Sequence, residues 1–288
     1  MNAPTDRPQQ APGDGLDPTR RFHCHVLEGG GLQPQTRDVI EEQPLRITVN
    51  GVPVVTLMRT PGAEAALALG FLLTEDIVGS PAEVSAVTFC RDSSLGVAGE
   101  VDVRLSGDGA MEKVRGYRHV FSSCSLCGDA WIEGFAEGRR PFERPTGRLR
   151  VADVLRLRDA MVEGQRVFKA TGGAHAAALA QPPLESAVGG ILVCEDMGRH
   201  NALDKAVGAA AARGLDLRRS LLLLSSRLSF EMVAKAACAG ICDVAGVSAP
   251  SAAAVRLARR LGMFLAGFVR GGTITVYAGA EALLTGEV

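Results

Sequence analysis

The sequence predicts an α/β protein: a C-terminal α/β domain with a mostly parallel sheet, preceded by a smaller β-rich α+β domain. Three observations carry this. From Val151 onward, apolar runs of strand length alternate with amphipathic helical segments, the pattern of a sheet covered on both faces. In the first half, two apolar stretches flank Asn50-Gly51, a strong short-range hairpin signal. Between the halves lies Phe121-Ser-Ser-Cys-Ser-Leu-Cys-Gly128, where the chain changes character.

Taken in order, residues 1–20 are rich in Pro, Gly, Asp and Gln without apolar periodicity, and read as a disordered tail. A small α+β domain over 21–128 follows. Leu45–Val49 and Val52–Met58 make a hairpin through a type I′ turn at Asn50-Gly51. Glu64 to about Glu75 reads as a helix, and 84–90 and 100–105 as two strands. The second domain spans 129–288. There, 152–168 is helical and the turn at Thr171-Gly-Gly-Ala-His-Ala-Ala-Ala178 runs into a small-residue segment. Strands are expected at 188–194, 221–225, 244–247, 264–269 and 273–277, with helices at 201–213, 229–239 and 251–261 between them.

Composition narrows the function classes. Hydrophobic content of 47% and charged content of 22% belong to an ordinary soluble globular chain. A net charge of −1 and only 5% aromatics give no electrostatic or stacking case for nucleic acid. The longest apolar runs, such as Leu221–Leu224, fall far short of the ~20 residues that a membrane span needs. No basic segment followed by an apolar one opens the chain, and seven cysteines is an odd number. Reduced thiols in a cytoplasm is the expected setting.

Two of those cysteines, Cys124 and Cys127, share the Cys-x-x-Cys spacing on a loop of small residues. A zinc site needs a second such pair or histidines to close a tetrahedron. A dithiol redox centre needs its first thiol at a helix N-terminus, where its pKa falls. A sulfur carrier needs one nucleophilic thiolate on a reachable loop and a second thiol to help release the sulfur. Two ordinary buried small residues are the bland alternative. Metal is the minor reading: His175 follows the cysteines rather than preceding them, position 177 is alanine, and no second Cys-x-x-Cys exists. Cys90, Cys194 and Cys238 fall inside predicted strands or a helix and read as packing residues.

Ligands of such sheets bind where strand-to-helix loops gather at the strands' carboxyl ends. Those loops are polar here: Glu195–Asn201, Ser225–Ser229, Ser248–Ser251 and Arg270–Thr273. The first three open helices, and Arg199, Arg227 and Arg270 add guanidinium groups suited to phosphate oxygens. This describes an anion pocket, which a phosphate-bearing dinucleotide would suit. The competing reading makes Asn201, Ser229 and Ser251 plain helix caps.

Several motifs, in order, resemble a known family. They are Glu-x-Pro-Leu at 42–45 with Asn50-Gly51, Ser-Ser-Cys-Ser-Leu-Cys-Gly at 122–128 and Thr-Gly-Gly-Ala-His-Ala-Ala-Ala at 171–178. Glu-Asp-Met-Gly-Arg-His-Asn-Ala-Leu-Asp-Lys at 195–205, Ser-Ser-Arg-Leu-Ser-Phe-Glu-Met-Val at 225–233 and Ser-Ala-Pro-Ser at 248–251 complete the set. Together they resemble the formate dehydrogenase accessory sulfurtransferase family, FdhD. The resemblance implies a cytoplasmic homodimer whose C-terminal domain is similar to the cytidine deaminase fold without its zinc. It implies sulfur loaded by a cysteine desulfurase as a persulfide on Cys124, helped by Cys127. The sulfur then passes to the bis(molybdopterin guanine dinucleotide) molybdenum cofactor, the cargo that formate dehydrogenase needs sulfurated. The family's cofactor-contact stretch falls on Phe268, Val269, Arg270, Gly271, Gly272 and Thr273. A cofactor-binding chaperone without sulfur transfer and a dithiol oxidoreductase are the rival classes.

Overall fold

The computed structural model describes residues 9–10, 17–90, 99–107, 111–116, 134–143, 147–184 and 190–284. Its strands are β1 (Gln9–Gln10), β2 (Thr19–Glu28), β3 (Gly31–Ile40), β4 (Gln43–Val49), β5 (Val52–Arg59), β6 (Val84–Cys90) and β7 (Glu100–Leu105), followed by β8 (His175–Ala180), β9 (Leu192–Asp196), β10 (Leu221–Leu224), β11 (Asp243–Gly246), β12 (Phe264–Arg270) and β13 (Thr273–Ala278). The helices are α1 (Glu64–Thr74), α2 (Met111–Gly116), α3 (Val151–Gly164), α4 (Arg166–Thr171), α5 (Arg199–Ala212), α6 (Phe230–Cys238) and α7 (Ala252–Arg260). They form a mixed α/β fold with three sheets.

The Asn50-Gly51 turn closes β4 onto β5 with φ of 50° and 76°, the left-handed pair a type I′ turn demands. Strands β4 to β7 make a four-stranded sheet in the order β5-β4-β7-β6. Strands β2 and β3 stand apart as a long two-stranded ribbon; neither was evident as a strand in the sequence.

The main sheet has seven strands in the order β1-β9-β8-β10-β11-β12-β13. Gln9–Gln10, inside the stretch read as a tail, pairs parallel with Leu192–Val193. The expectation of a mostly parallel sheet needs correction. β1–β9, β10–β11 and β11–β12 are parallel, whereas β9–β8, β8–β10 and β12–β13 are antiparallel. The cause is β8, an alanine-rich segment that enters between β9 and β10. Alanine has weak strand propensity, so His175–Ala180 carried little strand signal.

Alternation along the strands feeds two cores. Ala177, Leu179, Leu222, Leu224, Val244 and Leu265 face a cluster built with α1, α5, α6 and α7. Ala176, Ala178, Leu221, Leu223, Phe264 and Val269 face a second cluster closed by Val154, Leu157 and Met161 of α3. The small β8 side chains leave room for both helical layers.

Helix α1, from the first half of the chain, lies directly on α5 of the second. A Cβ at Gly70 would sit 1.8 Å from the Asp204 carbonyl oxygen, and one at Gly208 1.9 Å from that of Ala66. The two backbones touch because both positions lack a side chain. Beside this crossing, Lys235 of α6 pairs with Asp204 at 3.0 Å and Glu75 at 2.8 Å. Thr74 donates its hydroxyl to Asp204 at 2.6 Å. Burial alone would lower the Lys235 pKa, but the Asp204 and Glu75 carboxylates outweigh it and raise the value. The ammonium stays charged and ties three helices together.

Candidate functional site

The carboxyl ends of β9, β10, β11 and β12 point to one edge of the main sheet. Because β8 runs the other way, its first residue, His175, joins them there. The four polar loops predicted to gather do so. Ser225 donates its N–H to the Ala176 carbonyl at 2.9 Å and accepts from the Ala176 N–H through its hydroxyl at 2.8 Å. Leu228 and Ser251 link the next two loops by backbone bonds of 3.1 and 2.9 Å, to the carbonyls of Ala249 and Leu228 respectively. Phe268 donates its N–H to the Ser248 carbonyl at 3.2 Å.

A cleft of about 370 Å³ opens at this edge, lined among others by Met161, Gln165, Phe168, His175, Ser225 and Val247. Its outer wall is the short helix α4, held by Glu195 at the end of β9. That carboxylate accepts the N–H groups of Val167 and Phe168 at 2.9 and 2.8 Å, answering two orphan donors at the helix start. His175 is half-buried, and its pKa is lowered by burial first and then by the nearby Arg199 and His200 charges. His200 lies 3.0 Å from Glu231 through Nε2, and Arg199 reaches the same carboxylate at 3.7 Å. The first turns of α5 and α6 are thus joined across the edge.

The residues singled out from the sequence fare differently. Arg199 sits at the first position of α5, Arg227 is exposed on the Ser225–Ser229 loop, and Arg270 is exposed at the end of β12. The Arg270 guanidinium lies over the Phe268 ring at 5.2 Å, which holds the fork in place. Phe268 has φ 52°, beside a register shift between Gly267 and Arg270, so the strand bulges where its side chain emerges. Gly271 and Gly272 make the turn itself with φ of 56° and 79°, and Thr273 donates its hydroxyl to the Arg270 carbonyl at 3.0 Å. Val269 is fully buried in the second core. Its side chain serves packing, so it can meet a ligand only through its backbone.

Of the three expected caps, Ser251 accepts the Ala254 N–H at 3.1 Å and is one. Ser229 occupies the cap position of α6 without a side-chain cap bond. Asn201 lies inside α5 and instead donates to the Met58 carbonyl at 2.8 Å and to Asp196 at 3.1 Å. It belongs to a buried clamp that sequence reasoning missed. Lys205 pairs with Asp196 at 2.7 Å and donates to the Thr60 carbonyl at 2.7 Å, while Asp196 accepts the Thr60 N–H at 3.0 Å. The available signal was an Asp and a Lys placed in otherwise apolar strand and helix patterns.

Cys124 and Cys127 lie outside the described residues. The described chain resumes at Gly134, and Phe135 packs edge-on against Phe230 at 5.8 Å, beside the first turn of α6. Cys194 is buried in the first core as expected. Cys90 is exposed, because it falls on the outer strand of the four-stranded sheet, so the packing role read for it does not hold. Cys238 is partly buried, and burial raises its pKa while Arg139, 3.6 Å from its sulfur, opposes the shift. Among the described residues, no three His, Cys, Asp or Glu side chains gather in a metal-holding group. No described helix is long and apolar enough to cross a membrane.

The fold is that of an α/β protein with polar loops around a cleft at one edge of its main sheet, in a chain whose sequence carries two cysteines at Cys-x-x-Cys spacing. The chain belongs to the FdhD/NarQ family, whose model matches residues 40–284. It is 40% identical over 273 residues to a Streptomyces avermitilis protein named sulfur carrier protein FdhD, covering 92% of this chain and 95% of that one. It is 42% identical over 280 residues to the Anaeromyxobacter dehalogenans protein of the same name, covering 91% and 93%. Its fold is similar to a crystal structure from Desulfotalea psychrophila described as a candidate formate dehydrogenase accessory protein. That match has a TM-score of 0.73 at 22% identity and covers 93% of this chain and all of the other.

Proposed function

We propose that the chain is a sulfurtransferase. In the cytoplasm it takes sulfur from a cysteine desulfurase as a persulfide on Cys124. It then passes the sulfur to the bis(molybdopterin guanine dinucleotide) molybdenum cofactor used by formate dehydrogenase. The observation that carries this reading is the near full-length match to relatives named sulfur carrier protein FdhD, in a chain that bears Cys124 and Cys127 at Cys-x-x-Cys spacing. The likeness of the C-terminal half to cytidine deaminases belongs to the same proposal.

The chemistry follows from thiol–disulfide exchange. The Cys124 thiolate attacks the outer sulfur of the desulfurase persulfide, and the desulfurase cysteine leaves as a thiolate. The Cys127 thiolate then attacks Cys124 Sγ. A Cys124–Cys127 disulfide forms, and the outer sulfur departs with the electron pair as sulfide towards molybdenum. A dithiol reductant returns both cysteines to thiols. The polar edge is the seat proposed for the cargo. Arg270 offers paired donors to a phosphate or a guanine edge, Phe268 offers a ring face, and the Gly271-Gly272 turn admits a close backbone approach.

The test is mass spectrometry after incubation with a desulfurase and cysteine. Wild type gains one sulfur on the peptide containing Cys124, and cyanolysis releases thiocyanate. Cys124→Ala gains none and does not activate formate dehydrogenase. A Cys124→Ala protein that still accepts sulfur and activates its client refutes the assignment. Cofactor binding without any sulfur loading in wild type makes the chain a chaperone instead.

A further inference from the structure

The cleft at the sheet edge is not itself an anion site. None of the described residues lining it is Asp, Glu, Lys or Arg, and Met161, Val162, Phe168 and Val247 give it apolar walls. Arg199, Arg227 and Arg270 lie around it, outside its lining. A phosphate moved between such walls would lose its hydration with no cation to replace it. What the cleft offers instead is a few neutral hydrogen-bonding groups on apolar ground.

Gln165 is the first of them. It is 8% exposed and sits between α3 and α4, at the cap position of α4. Its side chain does not cap that helix, because Glu195 already accepts the Val167 and Phe168 N–H groups at 2.9 and 2.8 Å. Its amide makes no hydrogen bond among the described residues, yet neither amide atom is sealed away from open space, which here is the cleft. A buried amide left idle costs free energy that a ligand can recover. Two further neutral groups line the same cleft. Ser225 accepts the Ala176 N–H at 2.8 Å, which leaves its own O–H to donate. His175 is kept neutral near pH 7 by burial first and then by the Arg199 and His200 charges, so its ring carries one donor and one acceptor.

We propose that the cleft seats an uncharged, planar heterocycle whose lactam edge pairs with the Gln165 amide, while phosphate stays outside on the arginine-bearing loops. A lactam sets an N–H beside a C=O. The Gln165 carbonyl accepts from the first and its NH2 donates to the second, the kind of two-point fit by which glutamine reads a base edge. The flat faces of the ring suit Met161, Phe168 and Val247. A sugar or a flexible polar chain would bring hydroxyls that these walls cannot satisfy. The volume of about 370 Å³ is at the small end of ligand sites, in keeping with one fused ring system. Guanine and pterin both present this edge, and only their choice rests on the cargo proposed for the chain. Gln165 then sets which ring enters, a role separate from that of the Phe268–Thr273 turn.

Calorimetry on the full chain tests it with guanosine, pterin, pyrophosphate and purine riboside, a nucleoside that lacks the lactam. Wild type should bind guanosine or pterin at least about tenfold more tightly than purine riboside, and the tighter of the two identifies the ring. Gln165→Met keeps the length of the side chain and removes its amide. It should weaken binding of that ring about ten- to hundredfold and leave pyrophosphate affinity within about twofold. Its Tm should not fall, because no bond within the fold is lost. Gln165→Leu repeats the test should the methionine variant fold poorly. A wild type that binds neither ring overturns the proposal, as does a folded variant that binds the ring as well as wild type. So does purine riboside bound as tightly as guanosine and pterin. Persulfide loading of wild type on Cys124, measured on the same preparation, separates the two readings. Ring binding without loading defeats sulfur carriage alone, and loading without ring binding defeats the ring seat alone.

Discussion

Replacing Gly208 by Ala tests the crossing of α1 and α5 with the sign of the effect as well as its size. In an exposed helix interior, Gly→Ala stabilises by up to ~1 kcal/mol through helix propensity. At Gly208 the added Cβ would lie 1.9 Å from the Ala66 carbonyl oxygen, 2.7 Å from the Gly70 nitrogen and 2.8 Å from the Ala66 carbonyl carbon. All three are backbone atoms, so no rotamer relieves the contact. The helices must separate by about an ångström or more, and the gap opens among Leu67, Phe71, Leu203 and Val207 of the first core. Overpacking of this kind costs about 1–3 kcal/mol, and the loosened contacts add to it, so the net loss should be about 2–4 kcal/mol. For a chain of this size, Tm should fall by roughly 5–15 °C in a thermal scan followed by circular dichroism. Gly70→Ala should behave alike, since its Cβ meets the Asp204 carbonyl at 1.8 Å. The double variant should cost less than the sum, because one separation accommodates both side chains. An unchanged or raised Tm in Gly208→Ala refutes the close crossing.

Three further outcomes are expected. Lys235→Met leaves the Asp204 carboxylate buried without its ammonium and should cost about 3–5 kcal/mol by urea unfolding, with Asp204→Asn in the same chain restoring part of the loss. Arg270→Ala should weaken binding of a guanine nucleotide, standing in for the proposed cargo's tail, about ten- to hundredfold by calorimetry while sulfur loading on Cys124 continues. The lowered His175 pKa means that the unfolded chain binds a proton more readily. Its contribution to stability is therefore complete above the ordinary value of 6.5 and is lost as pH falls from there through the lower folded value; His175→Asn should flatten that part of the Tm-against-pH curve.

Much of the fold was legible in local chemistry. Asn50-Gly51 fixed the β4–β5 hairpin, and the alternation of Leu221–Leu224, Phe230–Cys238, Asp243–Gly246 and Ala252–Arg260 is the one expected from apolar period and cap residues. Two elements were not legible, each for its own reason. His175–Ala180 is a strand because its neighbours β9 and β10 pair with it, a tertiary effect that overrides alanine's propensity. The β2–β3 ribbon mixes Arg, His, Gln and Pro with few apolar residues, so neither strand shows a clean alternation. The site was legible as a set of polar loops at one sheet edge, because topology alone brings such loops together. Which side chains face a ligand was not, as Val269 shows: period placed it in the strand 264–269 and the resemblance put it in the cofactor-contact stretch, whereas its side chain is fully buried in the second core beside the bulge at Phe268.

The longest motif, Glu195 to Lys205, divides into residues consumed by the fold and residues left for chemistry. Asp196, Asn201 and Lys205 are buried and bonded to Met58 and Thr60, and Glu195 is occupied by the start of α4. Their effect on any ligand passes through the position of the cleft wall. Arg199 and His200, the first two residues of α5, stay partly exposed and share Glu231 at the edge. Substitution should therefore separate the two groups. Asp196→Asn leaves the Lys205 ammonium buried without its carboxylate and should lower stability by several kcal/mol, with ligand affinity changing only as the wall loosens. Arg199→Ala should leave Tm within about 2 °C, since exposed pairs contribute little, and act on ligand affinity directly. Measuring Tm and guanine nucleotide affinity on both variants distinguishes them. If Arg199→Ala cost stability and spared affinity, the first turn of α5 would belong to the clamp, and the ligand edge would shrink to the loops carrying Arg227 and Arg270.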